Sequence, residues 1–228
     1  GWPFPSLEIA QKAKLYCEAN IDSKTVIQTI CGLSCLITDN KTTPFAKAFW
    51  QHTGLGASSR LAAIALGKEH APFKEEGDIA KNILINRLSN IYDCPTDLIQ
   101  LQPSGMAALN KALEIIRQIR PHRSFLQLGF PYVDVLKLPQ VLFGGSELVT
   151  EASQDKLAAE LDRRKPAAVI VELPSNPMLQ CIDLPTVSKL ARERGIPIIA
   201  DDTIGSAINI DPKPYSDLIF TSLTKSFA

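Results

Sequence analysis

The chain has 228 residues, 24 of them basic and 24 acidic, and 45% are hydrophobic. That length exceeds the roughly 100–200 residues of one ordinary domain and is ample for a buried core. The charge balance leaves no electrostatic footprint for nucleic acid or an anionic membrane surface. The longest apolar run, Leu61–Leu66, falls far short of the roughly 20 residues that span a bilayer.

The first residues, Gly1-Trp-Pro-Phe-Pro5, carry neither the basic region nor the apolar stretch of a secretory signal. Five scattered cysteines, Cys17, Cys31, Cys35, Cys94 and Cys181, are odd in number and sparse. Reduced thiols in a cytoplasmic protein fit that pattern better than a disulfide framework. Cys31 and Cys35 stand four residues apart on an expected helix. With no histidine or second cysteine pair beside them, they read as core packing and no metal is expected.

From Leu7 to Asn90 the apolar residues recur at three- and four-residue spacing, in Leu7–Leu15, Thr25–Ile30 and Arg60–Leu66, which predicts helices. Thr42-Thr-Pro-Phe45 and His70-Ala-Pro-Phe73 interrupt them. Residues 1–90 therefore read as a helical N-terminal segment and residues 91–228 as a second, larger domain. There, short apolar runs alternate with amphipathic helices. Met106–Ile119 and Leu184–Arg194 are expected helices, the second stopped by Gly195. Ser124–Leu128, Gln140–Phe143, Ala167–Glu172, Ile196–Ala200 and Asp217–Thr221 are expected strands. Strands apolar on both faces, alternating with helices, predict an α/β fold with a mostly parallel, helix-covered sheet. Ligands of such sheets bind beyond the carboxyl ends of the strands.

Four such positions hold chemically suggestive groups. Pro103-Ser104-Gly105-Met106 opens a helix, where unpaired N–H groups and the helix dipole suit a phosphate. Glu172-Leu-Pro-Ser-Asn176-Pro177 follows a buried run, and its prolines hold an extended loop that aims Asn176. Asp201-Asp-Thr203 ends the next run, and a carboxylate there needs a cationic partner. Ser222-Leu-Thr224-Lys225 follows the last run; a desolvated lysine loses its proton more readily and attacks an aldehyde. Each has an ordinary alternative: a helix cap, a turn, another cap, a solvated lysine. Together they supply what pyridoxal phosphate needs: a phosphate cradle, a carboxylate for the pyridine nitrogen and a lysine for the aldehyde.

Ser104-Gly-Met-Ala-Ala108, Glu172-Leu-Pro-Ser-Asn-Pro177, Asp201-Asp-Thr203 and Ser222-Leu-Thr-Lys225 follow the order and approximate spacing of the cysteine/methionine-metabolism pyridoxal-phosphate enzymes. The stretch from about Leu98 to Ala228 resembles that family. The resemblance implies the aspartate-aminotransferase-like fold (fold type I). Asp201-Asp-Thr-Ile-Gly-Ser206, Ser222-Leu-Thr-Lys-Ser-Phe227 and Phe49-Trp-Gln-His-Thr-Gly54 look most like its cystathionine γ-synthase branch. That branch implies γ-replacement on an activated homoserine ester with cysteine, giving cystathionine; a sulfhydrylase or cystathionine lyase is the alternative within the family.

Residue by residue, the resemblance makes Lys225 the Schiff-base lysine and Asp201 the partner of the pyridine nitrogen. Gly105 and Met106, with Ser104, match the backbone turn at the phosphate, joined by the Ser222 and Thr224 hydroxyls. Tyr132 in Gly129-Phe-Pro-Tyr132 aligns with the ring-stacking tyrosine, Asn176 with the group near the phenolic oxygen, and Thr203 belongs to the same cofactor set. Lys225, Tyr132 and Asp201 form the expected catalytic group. The partners implied are small amino-acid substrates and a second copy or copies of the chain, as homodimer or homotetramer.

The sequence departs from the family in one place. Gln51-His52-Thr-Gly-Leu-Gly-Ala-Ser-Ser59-Arg60 lacks the Tyr-x-Arg pair that reaches a neighbouring subunit's phosphate, leaving His52, Ser59 or Arg60 as substitutes. The chain stops three residues beyond Lys225, where relatives continue into a smaller C-terminal domain with the substrate-carboxylate arginine, so a fragment is expected. His70 and His122 read as loop residues. A penicillin-type acyl enzyme shares Ser-x-x-Lys, but it also needs Ser-Asp-Asn and Lys-Thr-Gly elements, which are missing here. A non-catalytic relative remains the alternative from another class.

Overall fold

The computed structural model describes residues 1–151 and 153–225. Ser226 and Phe227, part of the quoted family motif, lie outside the described residues. The chain divides into two compact units, Gly1–Pro103 and Ser104–Ala228.

The first unit runs β1 (Trp2–Phe4), α1 (Leu7–Asn20), β2 (Val26–Ile30), β3 (Leu33–Ile37), α2 (Thr43–Thr53), α3 (Ser59–Ala65) and α4 (Lys74–Tyr92). The change of texture near residue 90 falls inside the last turn of α4. Helices dominate, but in Thr25–Ile30, expected as a helix, Val26–Ile30 form a strand. β2 and β3 make an antiparallel hairpin in which Ile30 pairs with Leu33 across Cys31 and Gly32. Both turn residues have positive φ, 48° and 79°, the geometry that matches the twist of paired strands. Cys31 is thus an exposed turn residue and Cys35 a buried strand residue, so they share no helix face. β1 pairs with the other edge of β3. Ala10, Ala13 and Cys17 of α1 are buried, as are Phe4, Leu36 and Phe49, and Phe4 meets Phe49 edge-on at 5.8 Å.

The second unit runs α5 (Gly105–Ile119), β4 (Phe125–Leu128), α6 (Val133–Leu142), β5 (Ser146–Val149), α7 (Gln154–Arg164), β6 (Val169–Glu172), α8 (Leu184–Arg192), β7 (Ile198–Asp201), α9 (Ser206–Asn209) and β8 (Leu218–Phe220). Its sheet is parallel throughout, in the order β5-β4-β6-β7-β8. Alternate strand residues serve opposite faces. Leu126, Leu128, Val169, Val171, Ile198 and Ala200 pack with Leu157 and Leu161 of α7 and with α8. Phe125, Ile170, Ile199 and Phe220 pack with Leu109, Leu113 and Ile116 of α5 and Leu138 of α6. This is the expected α/β architecture with both faces of the sheet covered.

Gln140–Phe143, expected as a strand, is instead the end of α6 and its cap. Val135 and Leu138 bury one helical face there, and Pro139 inside the helix disguises the periodicity. The adjoining strand is β5, an edge strand with Glu147 and Leu148 exposed.

Candidate active site

All five strands of the second unit run in one direction, so their carboxyl ends line one edge of the sheet. That edge collects the segments after β4, β6, β7 and β8. β6 and β7 end in acids, Glu172 and Asp201, which face each other directly in the register. Both are buried, 6% and 4% exposed. Burial, with the nearby charge of Asp202, pushes Asp201 up to about 6 against hydrogen bonds from Thr203. Burial and then the Asp201 charge push Glu172 up to about 7, opposed by the N–H groups of Tyr132 and Asn176. Desolvation disfavours the charged form of a carboxyl, so this edge favours a cationic partner.

Thr203 ties Asp201 to the segment after β8. Its N–H donates to Asp201 Oδ1 at 3.0 Å and its hydroxyl also bonds the carboxylate. The same Oγ1 accepts the Ser222 N–H at 3.0 Å. Ser222 Oγ lies 3.1 Å from Thr224 Oγ1, and the Lys225 N–H donates to the Ser222 carbonyl at 3.1 Å. Lys225 and Thr224 are exposed, so the described residues do not bury the lysine as expected.

The N-terminus of α5 meets the same segment. Ser104 caps the helix by accepting the Ala107 N–H at 3.1 Å, leaving the Gly105 and Met106 N–H groups at the helix mouth. A side chain on Gly105 would place its Cβ 2.9 Å from Ser222 Cβ and 3.2 Å from Ser222 Cα, so glycine is what permits the approach. Two backbone donors of a helix start thereby lie beside two hydroxyls, a donor set suited to a phosphate.

On the other side of Asp201, Tyr132 precedes α6, half-exposed, with its N–H donating to Glu172 Oε2 at 2.6 Å. A hydrogen bond to Asp134, then burial, raises its phenol above the ordinary range. Asn176 is exposed in the loop after β6. That loop closes on itself, Ser175 N–H donating to the Gln180 carbonyl at 2.9 Å. A cavity of about 280 Å3 opens beside Glu172, lined by Gly129, Phe130, Thr150, Ser175 and Cys181 among others. Glu172 is the group that the sequence reading left without a role. Its signal was the one that marked Asp201, an acid closing a fully apolar strand.

Among the described residues no three His, Cys, Asp or Glu side chains come together as a metal site, and no helix is long and apolar enough to cross a membrane. Of the residues considered for the neighbouring subunit's phosphate, His52 is buried in α2, whereas Ser59 and Arg60 are exposed at the start of α3. His70 and His122 are exposed.

The carboxyl edge of this parallel sheet thus brings together the N–H groups of a helix start, two hydroxyls, a buried acid and the lysine turn of an α/β protein. The cofactor follows from the family: residues 77–227 match the model of the Cys/Met metabolism PLP-dependent enzymes, and the chain belongs to that family. The match reaches further towards the N-terminus than the stretch from Leu98. A cystathionine gamma-synthase-like enzyme of Amanita muscaria is 25% identical over 99% of this chain and 53% of its own length. An L-2-amino-4-chloropent-4-enoate dechlorinase/desaturase of Streptantibioticus cattleyicolor is 33% identical over 77% of this chain and 38% of its own. The chain thus spans about half, or less, of the length of these relatives. Among solved structures, cystathionine gamma synthase from Xanthomonas oryzae pv. oryzae, in complex with aminoacrylate and cysteine, is 27% identical. The alignment covers 54% of this chain and 32% of that one, with a TM-score of 0.48.

The residues fit pyridoxal phosphate on two observations. Asp201 is buried where a cation would relieve its desolvation. The Gly105 approach, which any Cβ would fill, gathers helix donors and hydroxyls.

Proposed function

We propose that this chain is the cofactor-binding part of a transsulfuration enzyme of the cystathionine γ-synthase type, which replaces the γ-substituent of an activated homoserine ester with cysteine. The observation that carries this reading is the connected line of contacts from the Gly105 turn through Ser222 and Thr203 to buried Asp201. The curated relatives with that activity in their names support the substrate class.

In this reading Ser104, Gly105, Met106, Ser222 and Thr224 hold the cofactor phosphate, and Asp201 pairs with the protonated pyridine nitrogen. Thr203 keeps Asp201 and Ser222 in register. Tyr132 would cover the ring and Asn176 would stand near its phenolic oxygen. When bound, pyridoxal phosphate supplies the electron sink that permits loss of an α-proton and then of a γ-leaving group. Lys225 would hold the cofactor, and its Nζ would take the substrate's α-proton and return it further along the side chain. Burial of Asp201 excludes water from the charge pair, which strengthens it. The working enzyme is a homodimer or homotetramer in the cytoplasm, with small amino acids as its partners.

The test is a substrate panel on the full-length protein. Cystathionine formed from an O-acylhomoserine and cysteine supports the reading. Turnover confined to sulfide as acceptor, or to cystathionine cleavage, assigns the chain to a sulfhydrylase or lyase of the same family.

A further inference from the structure

Glu172 has no place in the cofactor set above, yet it is among the most buried acids of the unit. β4 pairs with β6 only as far as Leu128 opposite Val171. Glu172 itself is therefore paired only on the β7 side, while Gly129, the next residue after β4, still donates its N–H to the Val149 carbonyl of β5 at 2.9 Å. The segment that leaves β4 returns its Tyr132 N–H to Glu172 Oε2 at 2.6 Å. The N–H of Asn176, four residues along the loop that leaves β6, bonds the same carboxylate. On the β7 side, Asp201 stands opposite, and the Leu173 N–H donates to the Asp201 carbonyl at 2.9 Å.

We infer that Glu172 is a positioning residue: its carboxylate clamps the backbone at Tyr132 and at Asn176, and so sets the two side chains that flank the ring opposite Asp201. The inference rests on the cofactor reading for its purpose, but the clamp is a property of the protein chain itself. A carboxyl that receives two backbone N–H groups orders two loops at once, and its hold strengthens as it ionises above about pH 7, because hydrogen bonds to an ionised group exceed neutral ones in strength. Glutamine at this position keeps one acceptor oxygen and turns a donor amide towards the second N–H, so it should hold one loop only. Alanine releases both.

Amide hydrogen exchange on the cofactor-free full-length protein reads the clamp directly, since local opening sets the exchange rate. Glu172→Ala should speed exchange at Tyr132 and Asn176 at least tenfold while the β6 and β7 amides keep their rates. Glu172→Gln should speed one site and spare the other. Titration with pyridoxal phosphate should then show about tenfold weaker binding in Glu172→Ala. Unchanged exchange at both amides, or a uniform rise across the sheet, overturns the clamp. Borohydride trapping of wild-type protein separates the two claims: absent label at Lys225 refutes the cofactor reading, whereas label at Lys225 with unaltered loop exchange refutes the clamp alone.

Discussion

Glu172 and Asp201 sit opposite each other at the ends of adjacent parallel strands, both buried and both acidic. Burial first, then the Asp201 charge at Glu172 and the Asp202 charge at Asp201, makes each carboxyl hold its proton more tightly than in the unfolded chain, with values of about 7 and about 6. Folding therefore binds protons between about pH 4 and pH 7, and the stability from these groups is fully present below their ordinary carboxyl range. It is lost as pH rises through about 6 and then about 7. The melting temperature of cofactor-free protein should fall from pH 5 to pH 8, and Glu172→Gln should flatten that fall. Asp39, Asp162 and Asp183 are shifted the other way and act in more acid solution. A melting temperature that rises across the window contradicts the assignment.

Gly105 is predicted not to tolerate alanine. In a helix interior, replacing glycine by alanine ordinarily stabilises by about 0.5–1 kcal/mol, and the first position of α5 gains no more than that. Here the new Cβ meets Ser222 at 2.9 Å, with the backbone Cα close behind at 3.2 Å, and overpacking costs about 1–3 kcal/mol. Denaturant unfolding of Gly105→Ala should show a net loss, accompanied by weaker pyridoxal-phosphate binding. A neutral or stabilised variant would show that the approach is not tight.

Thr203→Val should separate Asp201 from the lysine turn. The valine isostere removes the hydroxyl bond to Asp201 and the acceptor for the Ser222 N–H. Two lost bonds, one to a carboxylate, should cost about 2 kcal/mol. Thr203→Ser keeps both and should restore stability and cofactor affinity in equilibrium unfolding and binding titrations. Equal behaviour of the two variants removes Thr203 from the relay.

Much of this site was legible before the fold was known. Ala167–Glu172 and Ile196–Ala200 read as buried parallel strands, and β6 and β7 fall within a residue or two of those bounds, because helices cover both faces and no polar residue interrupts the run. Such strands announce their own carboxyl ends, and Asp201 and Ser222 could be placed there on sequence alone. Thr25–Ile30 was not legible as a strand: its apolar spacing suits a helix, and the decisive signal was the Cys31-Gly32 turn with two positive φ values. Gln140–Phe143 misled in the opposite direction, because Pro139 hides the helical face of α6. The role of Glu172 depends on the N–H groups that the segments after β4 and β6 bring to it, which is a property of tertiary placement and not of any local motif.

The most direct test of the account is borohydride reduction of the full-length protein loaded with pyridoxal phosphate, followed by digestion and mass spectrometry. One pyridoxyl-modified peptide is expected, with the label on Lys225 and loss of that label in Lys225→Ala. A label on another lysine, or none at all, would contradict it.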